Sequence, residues 1–270
     1  MALMAVIRAA EVAPGTLALW FLGQNGWVVK SAAGIVVVVD PYLSDCCNPS
    51  RRGLDLRRRV PVPLAPEEIE ADLVVCTHGH RDHADPVTLA ALARSGKVAR
   101  FLGPAETQGV FAAAGIDPGR RVPFWPNAVE RLGDLVLTGT FALPTDTSDL
   151  THCGLVVAAT GGAKIWITGD TAWCDLLAED GARHKPDVIC VPINGGYANL
   201  SHWQAAELVV RVAPRLAIPC HWDMFADNSC EPRMFRSSLV VKGAGERYHL
   251  LGHGENLVVD RIGTGGSPCR

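Results

Sequence analysis

His78, His80, Asp82 and His83 place four metal-ligand side chains within six positions, in the run Cys76-Thr77-His78-Gly79-His80-Arg81-Asp82-His83. A helix cannot carry them to one point, because residues at i and i+2 on a helix are rotated about 200° apart. His78 and His80 therefore ask for a loop or a strand end. The flanks agree. Leu73-Val74-Val75-Cys76 leads in as a strand-sized apolar run. Beyond the cluster Asp85 suits a helix N-cap, Pro86 suits the first turn, and Val87, Leu89 and Leu92 keep helical spacing. Imidazole with carboxylate suits zinc, iron or manganese, and a loop at a strand exit lets several ligands converge.

The chain around this loop alternates strand and helix. Residues 17–29 read as two strands broken at Gly23-Gln24-Asn25-Gly26, with Asn25-Gly26 as the hairpin turn. Residues 34–39 form a β-branched run, apolar on both faces, that belongs in mid-sheet under cover on both sides, and Asp40 sits at its end. Residues 44–66 are irregular and carry Arg51, Arg52, Arg57, Arg58 and Arg59. That loop is either a solvated basic surface or an anion site over the cleft. A helix is expected over 85–95, a strand over 98–102 and a helix over 106–115. Strands follow at 129–132, 135–140, 155–159 and 164–168, the last ending in Gly169-Asp170-Thr171. A helix over 176–184, a strand over 188–193 and a Ser201-capped helix to Val212 lead to a strand at 216–220, which enters His221-Trp222-Asp223. A strand-rich tail is expected over 246–262. Turns recur without a Ser/Gly-rich linker, so the expectation is an α/β chain forming one domain over 1–270, in two halves of about 1–126 and 127–270.

Composition narrows the partners. The 270 residues are 48% hydrophobic and 20% charged with a net charge of −3, without the basic excess of a nucleic-acid binder. No apolar run approaches the roughly eighteen residues of a membrane span. The N-terminal stretch lacks the basic start of a signal peptide, which points to a cytoplasmic protein. The nine cysteines are scattered with no CxxC pair, so neither a disulfide framework nor a cysteine zinc site is indicated.

Three further candidate ligands share one context, a strand end: His152 before a strand, Asp170 after Lys164-Ile165-Trp166-Ile167-Thr168-Gly169, and His221 after Leu216-Ala217-Ile218-Pro219-Cys220. With these in place the sequence resembles the metallo-β-lactamase superfamily. Residues 77–83 match its HxHxDH signature, Asp40 resembles its first conserved aspartate, Asp170 its metal-bridging aspartate and His221 its final histidine. Gly23-Gln24-Asn25-Gly26, Thr168-Gly169-Asp170-Thr171 and Pro219-Cys220-His221-Trp222-Asp223-Met224-Phe225 look like the UlaG-like branch, typified by L-ascorbate-6-phosphate lactonase. The resemblance runs from about Leu17 to Phe225.

What the resemblance implies is specific. The fold would be a four-layer αββα sandwich of two β-sheets flanked by helices. His78, His80 and His152 would hold a first divalent ion, Asp82, His83 and His221 a second, and Asp170 would bridge. His152 lies only two residues before Gly154, so Asp149 or Asp146 is an alternative third ligand of the first site. Asp40 would orient the histidine loop from behind. One or two ions, zinc or manganese with iron as a further option, would make a bound hydroxide available at neutral pH, and Asp82 or Asp170 would move the proton. The expected substrate is a small anionic ester or lactone, with Arg51, Arg52, Asn194, Tyr197 and Trp222 as lining residues. The alternatives are a phosphodiesterase of RNA or phospholipid, or a non-catalytic domain with a degenerate site. Neither nucleic acid nor a membrane is expected as a partner, and a homo-oligomer is left open.

Overall fold

The computed structural model describes residues 2–48, 53–144 and 151–261. Strands β1 (Leu17–Gly23), β2 (Gly26–Ser31), β3 (Val36–Val39), β4 (Ala71–Val75), β5 (Val98–Gly103) and β6 (Arg121–Pro123) build one sheet. Strands β7 (Val129–Leu132), β8 (Leu135–Phe141), β9 (Cys153–Ala159), β10 (Lys164–Ile167), β11 (Val188–Pro192) and β12 (Leu216–Cys220) build the other. A final strand, β13 (Asn256–Val259), returns to the first sheet, whose order is β13-β1-β2-β3-β4-β5-β6; the second runs β12-β11-β10-β9-β8-β7.

The two sheets face each other. The pleat of β3 shows how: Val37 and Val39 join Leu73, Val75, Leu155, Val157, Ile165 and Ile167 in the core between the sheets, while Val36 and Val38 face outward. The outward residues pack under α1 (Leu3–Ala9), α2 (Pro86–Ser95) and α3 (Ala105–Ala113), through Ile7, Leu89, Leu92 and Phe111. On the other side Trp166, Ile189 and Val191 pack under α4 (Asp175–His184), α5 (His202–Val212) and α6 (Pro232–Val241), through Leu177, Leu208, Val209, Phe235 and Leu239. This is the helix–sheet–sheet–helix layering expected from the sequence. Among the described residues no helix is long and apolar enough to cross a membrane.

Most expected elements stand where the pattern put them. Asp85 caps α2 by accepting from the Val87 and Thr88 amides, and Ser201 caps α5 in a capping box with Gln204. Two readings change and three elements are new. The hairpin turns at Gln24-Asn25, not Asn25-Gly26, because the β1–β2 register shifts between Phe21 and Gly23. The expected strand-rich tail is a single strand, β13, at the edge of the first sheet. The helices α1 and α6 and the edge strand β6 are additions.

The arrangement gathers one set of strand ends. β3, β4 and β5 run parallel, as do β10, β11 and β12. The two sheets are stitched together at this end by backbone bonds. The Cys153 amide donates to the Thr77 carbonyl at 3.0 Å, and the His221 amide to the Gln24 carbonyl at 2.7 Å. Chain reversals at strand exits need unusual backbone. Five of the eight described non-glycine residues with positive φ lie here: Gln24, Asp40, Tyr197, Ala198 and His221.

Candidate metal centre

The histidine loop leaves β4 and is held from beneath by Asp40, which is fully buried at the end of β3. Asp40 Oδ1 accepts from the Thr77 amide at 2.7 Å, and Oδ2 accepts from Thr77 Oγ1 at 2.6 Å and Asn25 Nδ2 at 2.7 Å. Oδ2 also lies 2.8 Å from His83 Nδ1. That contact turns the other ring nitrogen, Nε2, toward the cluster, as carboxylate partners of ligating histidines do.

Seven side chains meet above it in three overlapping groups: His78, His80 and His152; His78, His83 and Asp170; and Asp82, His83 and His221. The ligand atoms of each group lie within 4.8 Å of one another. His78 Nε2 is 2.9 Å from His80 Nδ1. His83 Nε2 is 3.4 Å from Asp170 Oδ1 and 3.6 Å from Asp82 Oδ2, and His221 Nε2 is 3.3 Å from both Asp82 Oδ2 and Asp170 Oδ2. Two ligands each about 2.0–2.2 Å from a common ion sit at separations of this size. His83 Nε2 and Asp170 Oδ1 are buried without a hydrogen-bond partner. A buried polar atom left so is costly in a protein interior, and a cation removes the cost. The residues present therefore fit a divalent ion, or two side by side.

The structure brings His152 into the cluster. Its Nδ1 lies 3.1 Å from the Asp170 carbonyl oxygen, and its ring is 4.0 Å from that of His78. Asp146 and Asp149 fall outside the described residues, as do Arg51 and Arg52.

Charge in the metal-free cluster is divided by sign. Burial pulls the His83 imidazole down, but Asp170, Asp82 and Asp40 outweigh it and hold His83 well above the usual histidine range. Burial also lowers His221, yet Asp170 and Asp82 raise it to about 9. Burial raises the Asp82 and Asp170 carboxyls, and the two histidines more than reverse that, keeping both well below the usual carboxylate range. His78 is pushed well down, by burial first and then by His83 and His152. An ion that takes His83 and His221 as ligands must displace their protons.

The expected lining residues separate. Asn194 donates to Asn228 Oδ1 at 2.8 Å at the exit of β11, and Tyr197 stands half-exposed in left-handed backbone (φ 54°). Trp222 packs against two apolar clusters and donates to the Pro219 carbonyl at 3.2 Å. In the basic loop Arg58 donates to the Tyr42 and Val60 carbonyls and lies over the Tyr42 ring, and Arg57 is paired with Asp55. Those two guanidinium groups tie down their own loop.

Two residues went unread in the sequence. Asn199 Nδ2 donates to Asp170 Oδ2 at 2.7 Å while its Oδ1 accepts from the Thr171 amide at 3.0 Å, so it sets the Asp170 carboxylate. Gln24 is fully buried, with Nε2 at 2.6 Å from Asp82 Oδ2 and 2.9 Å from His221 Nε2. The glycine-flanked stretch 23–26 was a signal for Gln24; nothing short-range marks Asn199.

A family profile described as the beta-lactamase superfamily domain matches residues 18–221, from β1 to the last histidine of the cluster. The chain belongs to that family. Among its superfamily relatives is a UPF0173 metal-dependent hydrolase of Archaeoglobus fulgidus, 28% identical over 250 residues, covering 87% of this chain and 96% of the relative. The probable L-ascorbate-6-phosphate lactonase UlaG of Salmonella paratyphi B is 25% identical over 269 residues, covering 85% and 76%. Igni18, a metallo hydrolase from Ignicoccus hospitalis, shares the fold at a TM-score of 0.71 with 21% identity, covering 90% of this chain and 98% of its own. The superfamily and its UlaG-like branch are thus the ones the residues pointed to.

Proposed function

We propose that this metal-dependent hydrolase opens a small anionic ester or lactone at a pair of divalent ions, held by His78, His80 and His152 on one side and Asp82, His83 and His221 on the other, with Asp170 between. The observation that carries the reading is the overlap of the three ligand groups through His78 and His83. Overlapping groups suit two neighbouring ions better than one. Zinc suits the imidazole-rich side, and manganese or iron remains compatible with the carboxylate side.

The ions, when bound, lower the pKa of a water from about 15.7 to near 7 and neutralise charge on a substrate oxygen. The chain's own residues then orient and exchange protons. Asp40 fixes the histidine loop, and Asn199 fixes the Asp170 carboxylate. Of the two acids, Asp82 has the more exposed side chain, 17% against 7% for Asp170. Asp82, a carboxylate at rest, is therefore the group that would take the proton given up by the attacking water and pass it to the departing alkoxide. A carbonyl centre is favoured by the likeness to the lactonase. Bound ions would supply the counter-charge for an anionic substrate, since Arg57 and Arg58 are engaged within their own loop.

The test pairs metal analysis of the purified protein with turnover of a lactone panel and of bis-p-nitrophenyl phosphate. Bound divalent metal with lactone turnover at least tenfold above diester turnover is expected. The reverse preference would move the reading to a phosphodiesterase, and full activity without metal would end it.

A further inference from the structure

We infer that the side-chain amide of Gln24 is an additional ligand of the ion held by Asp82, His83 and His221, presenting Oε1 to it. The inference rests on the two-ion reading and assigns it one more protein group.

Gln24 is placed there by its backbone, not by chance of rotamer. Its left-handed conformation (φ 57°) is pinned from two sides: its amide donates to Asp223 Oδ1 at 3.1 Å, and its carbonyl accepts the His221 amide at 2.7 Å. The side chain is fully buried, and its end stands 2.6 Å from Asp82 Oδ2 and 2.9 Å from His221 Nε2, which are themselves 3.3 Å apart. Three polar atoms at such separations outline one face of a coordination shell. The NH2 group faces Asp82 Oδ2 and His221 Nε2, whose lone pairs are open to ligation once the proton on His221 is displaced. An ion claims those same lone pairs. The NH2 group then keeps neither acceptor, and its hydrogens face a positive charge.

A half-turn about the last side-chain bond resolves this. That torsion is soft and roughly two-fold, so nitrogen and oxygen exchange places without moving the chain. The turn gives up the contacts to Asp82 and His221 whose atoms the ion takes over. Meanwhile Oε1, now buried without a hydrogen-bond partner, gains one. The second pocket then offers carboxylate and amide oxygens beside imidazole, while His78, His80 and His152 offer imidazole alone. Ligand chemistry of that kind separates the two positions: the imidazole pocket for zinc, the oxygen-richer pocket for a harder ion such as manganese.

The experiment titrates manganese into full-length apo-protein preloaded with one equivalent of zinc, following free manganese by electron paramagnetic resonance, for wild type, Gln24→Leu and Gln24→Glu. With folding verified by circular dichroism, Gln24→Leu is expected to weaken manganese binding about tenfold or more, and Gln24→Glu to bind at least as tightly as wild type. The glutamate distinguishes a ligand from a mere donor. A donor role would set two carboxylates against each other and weaken binding in both variants. Wild-type affinity in Gln24→Leu, or a tenfold loss in Gln24→Glu, overturns the inference and leaves the two-ion reading standing. A wild-type protein that binds neither ion overturns both.

Discussion

Asp40 Oδ2 lies 2.8 Å from Nδ1 of His83, and neither residue is accessible to solvent. The same carboxylate also accepts from Asn25 and twice from Thr77, so one acid sets a ligand's ring and the loop that carries it. Asp40→Ala leaves these donors buried and unpaired. The expected cost is about 3–5 kcal/mol of stability, by analogy with a broken buried ion pair. A loss of about 10–100-fold in metal affinity should accompany it. Chemical denaturation and metal titration check the two parts separately. Unchanged metal affinity in a folded Asp40→Ala protein would refute the positioning role.

Asn199→Ala removes the partner of Asp170 Oδ2 and of the Thr171 amide together. Stability should fall by about 1–3 kcal/mol and metal affinity by about tenfold. Asn199→Asp sharpens the test. It places a second carboxylate against Asp170, so metal affinity should move further from wild type than in the alanine variant. Equal affinities in the two variants would count against a direct contact.

Metal and fold are linked by mass action. An ion at a hundredfold over its dissociation constant stabilises by about 2.7 kcal/mol. A chelator should therefore lower the thermal midpoint of the wild type, and added metal should restore it. In His78→Ala, which lacks a member of two of the three ligand groups, the chelator should shift the midpoint by clearly less than in the wild type. A full chelator shift in that variant would remove His78 from the ligand set.

How much of this was legible in the chain depends on how local the signal is. β3 could be read because four successive valines need cover on both faces, and the structure gives it an inter-sheet core and a helical layer. The histidine loop, Asp170 and His221 could be read because ligand type and strand exit are written within a few residues. α6 was missed although Glu231 and Pro232 give its start. Its buried face is Pro232, Phe235, Ser238 and Leu239, half of which is not an apolar stripe. Gln24 and Asn199 gain their roles only across 58 and 29 positions, through contacts with Asp82 and Asp170. Periodicity and spacing carry nothing of that kind, so those two needed the fold.

Gly154 tests the strand packing of the second sheet beside His152. A Cβ there would meet Thr140 Oγ1 and, at 2.8 Å, the Thr168 carbonyl oxygen, which is backbone and cannot swing away. Gly154→Ala should cost about 1–3 kcal/mol as overpacking. Because β9 begins next to His152, metal affinity should drop as well. Calorimetry and metal titration on one sample report both, and a neutral substitution would contradict the close approach of β9 to β10.

Proton competition gives the last test its sign. His221 is raised to about 9 and so carries a proton at pH 7, and the carboxylates around His83 push it in the same direction. Ligation needs the neutral imidazole. Apparent metal affinity should therefore climb as pH rises from 6 toward 9, by about tenfold per unit for each proton displaced, and binding at pH 7 should release protons into the buffer. The stability of the metal-free protein runs the other way. The charged His221 contributes fully below the ordinary histidine value near 6.5, and that contribution fades as pH climbs through about 9. Calorimetric titrations in buffers of different ionisation enthalpy count the protons directly. An affinity flat from pH 6 to 9, with no proton release, would mean that His83 and His221 are not the ligands.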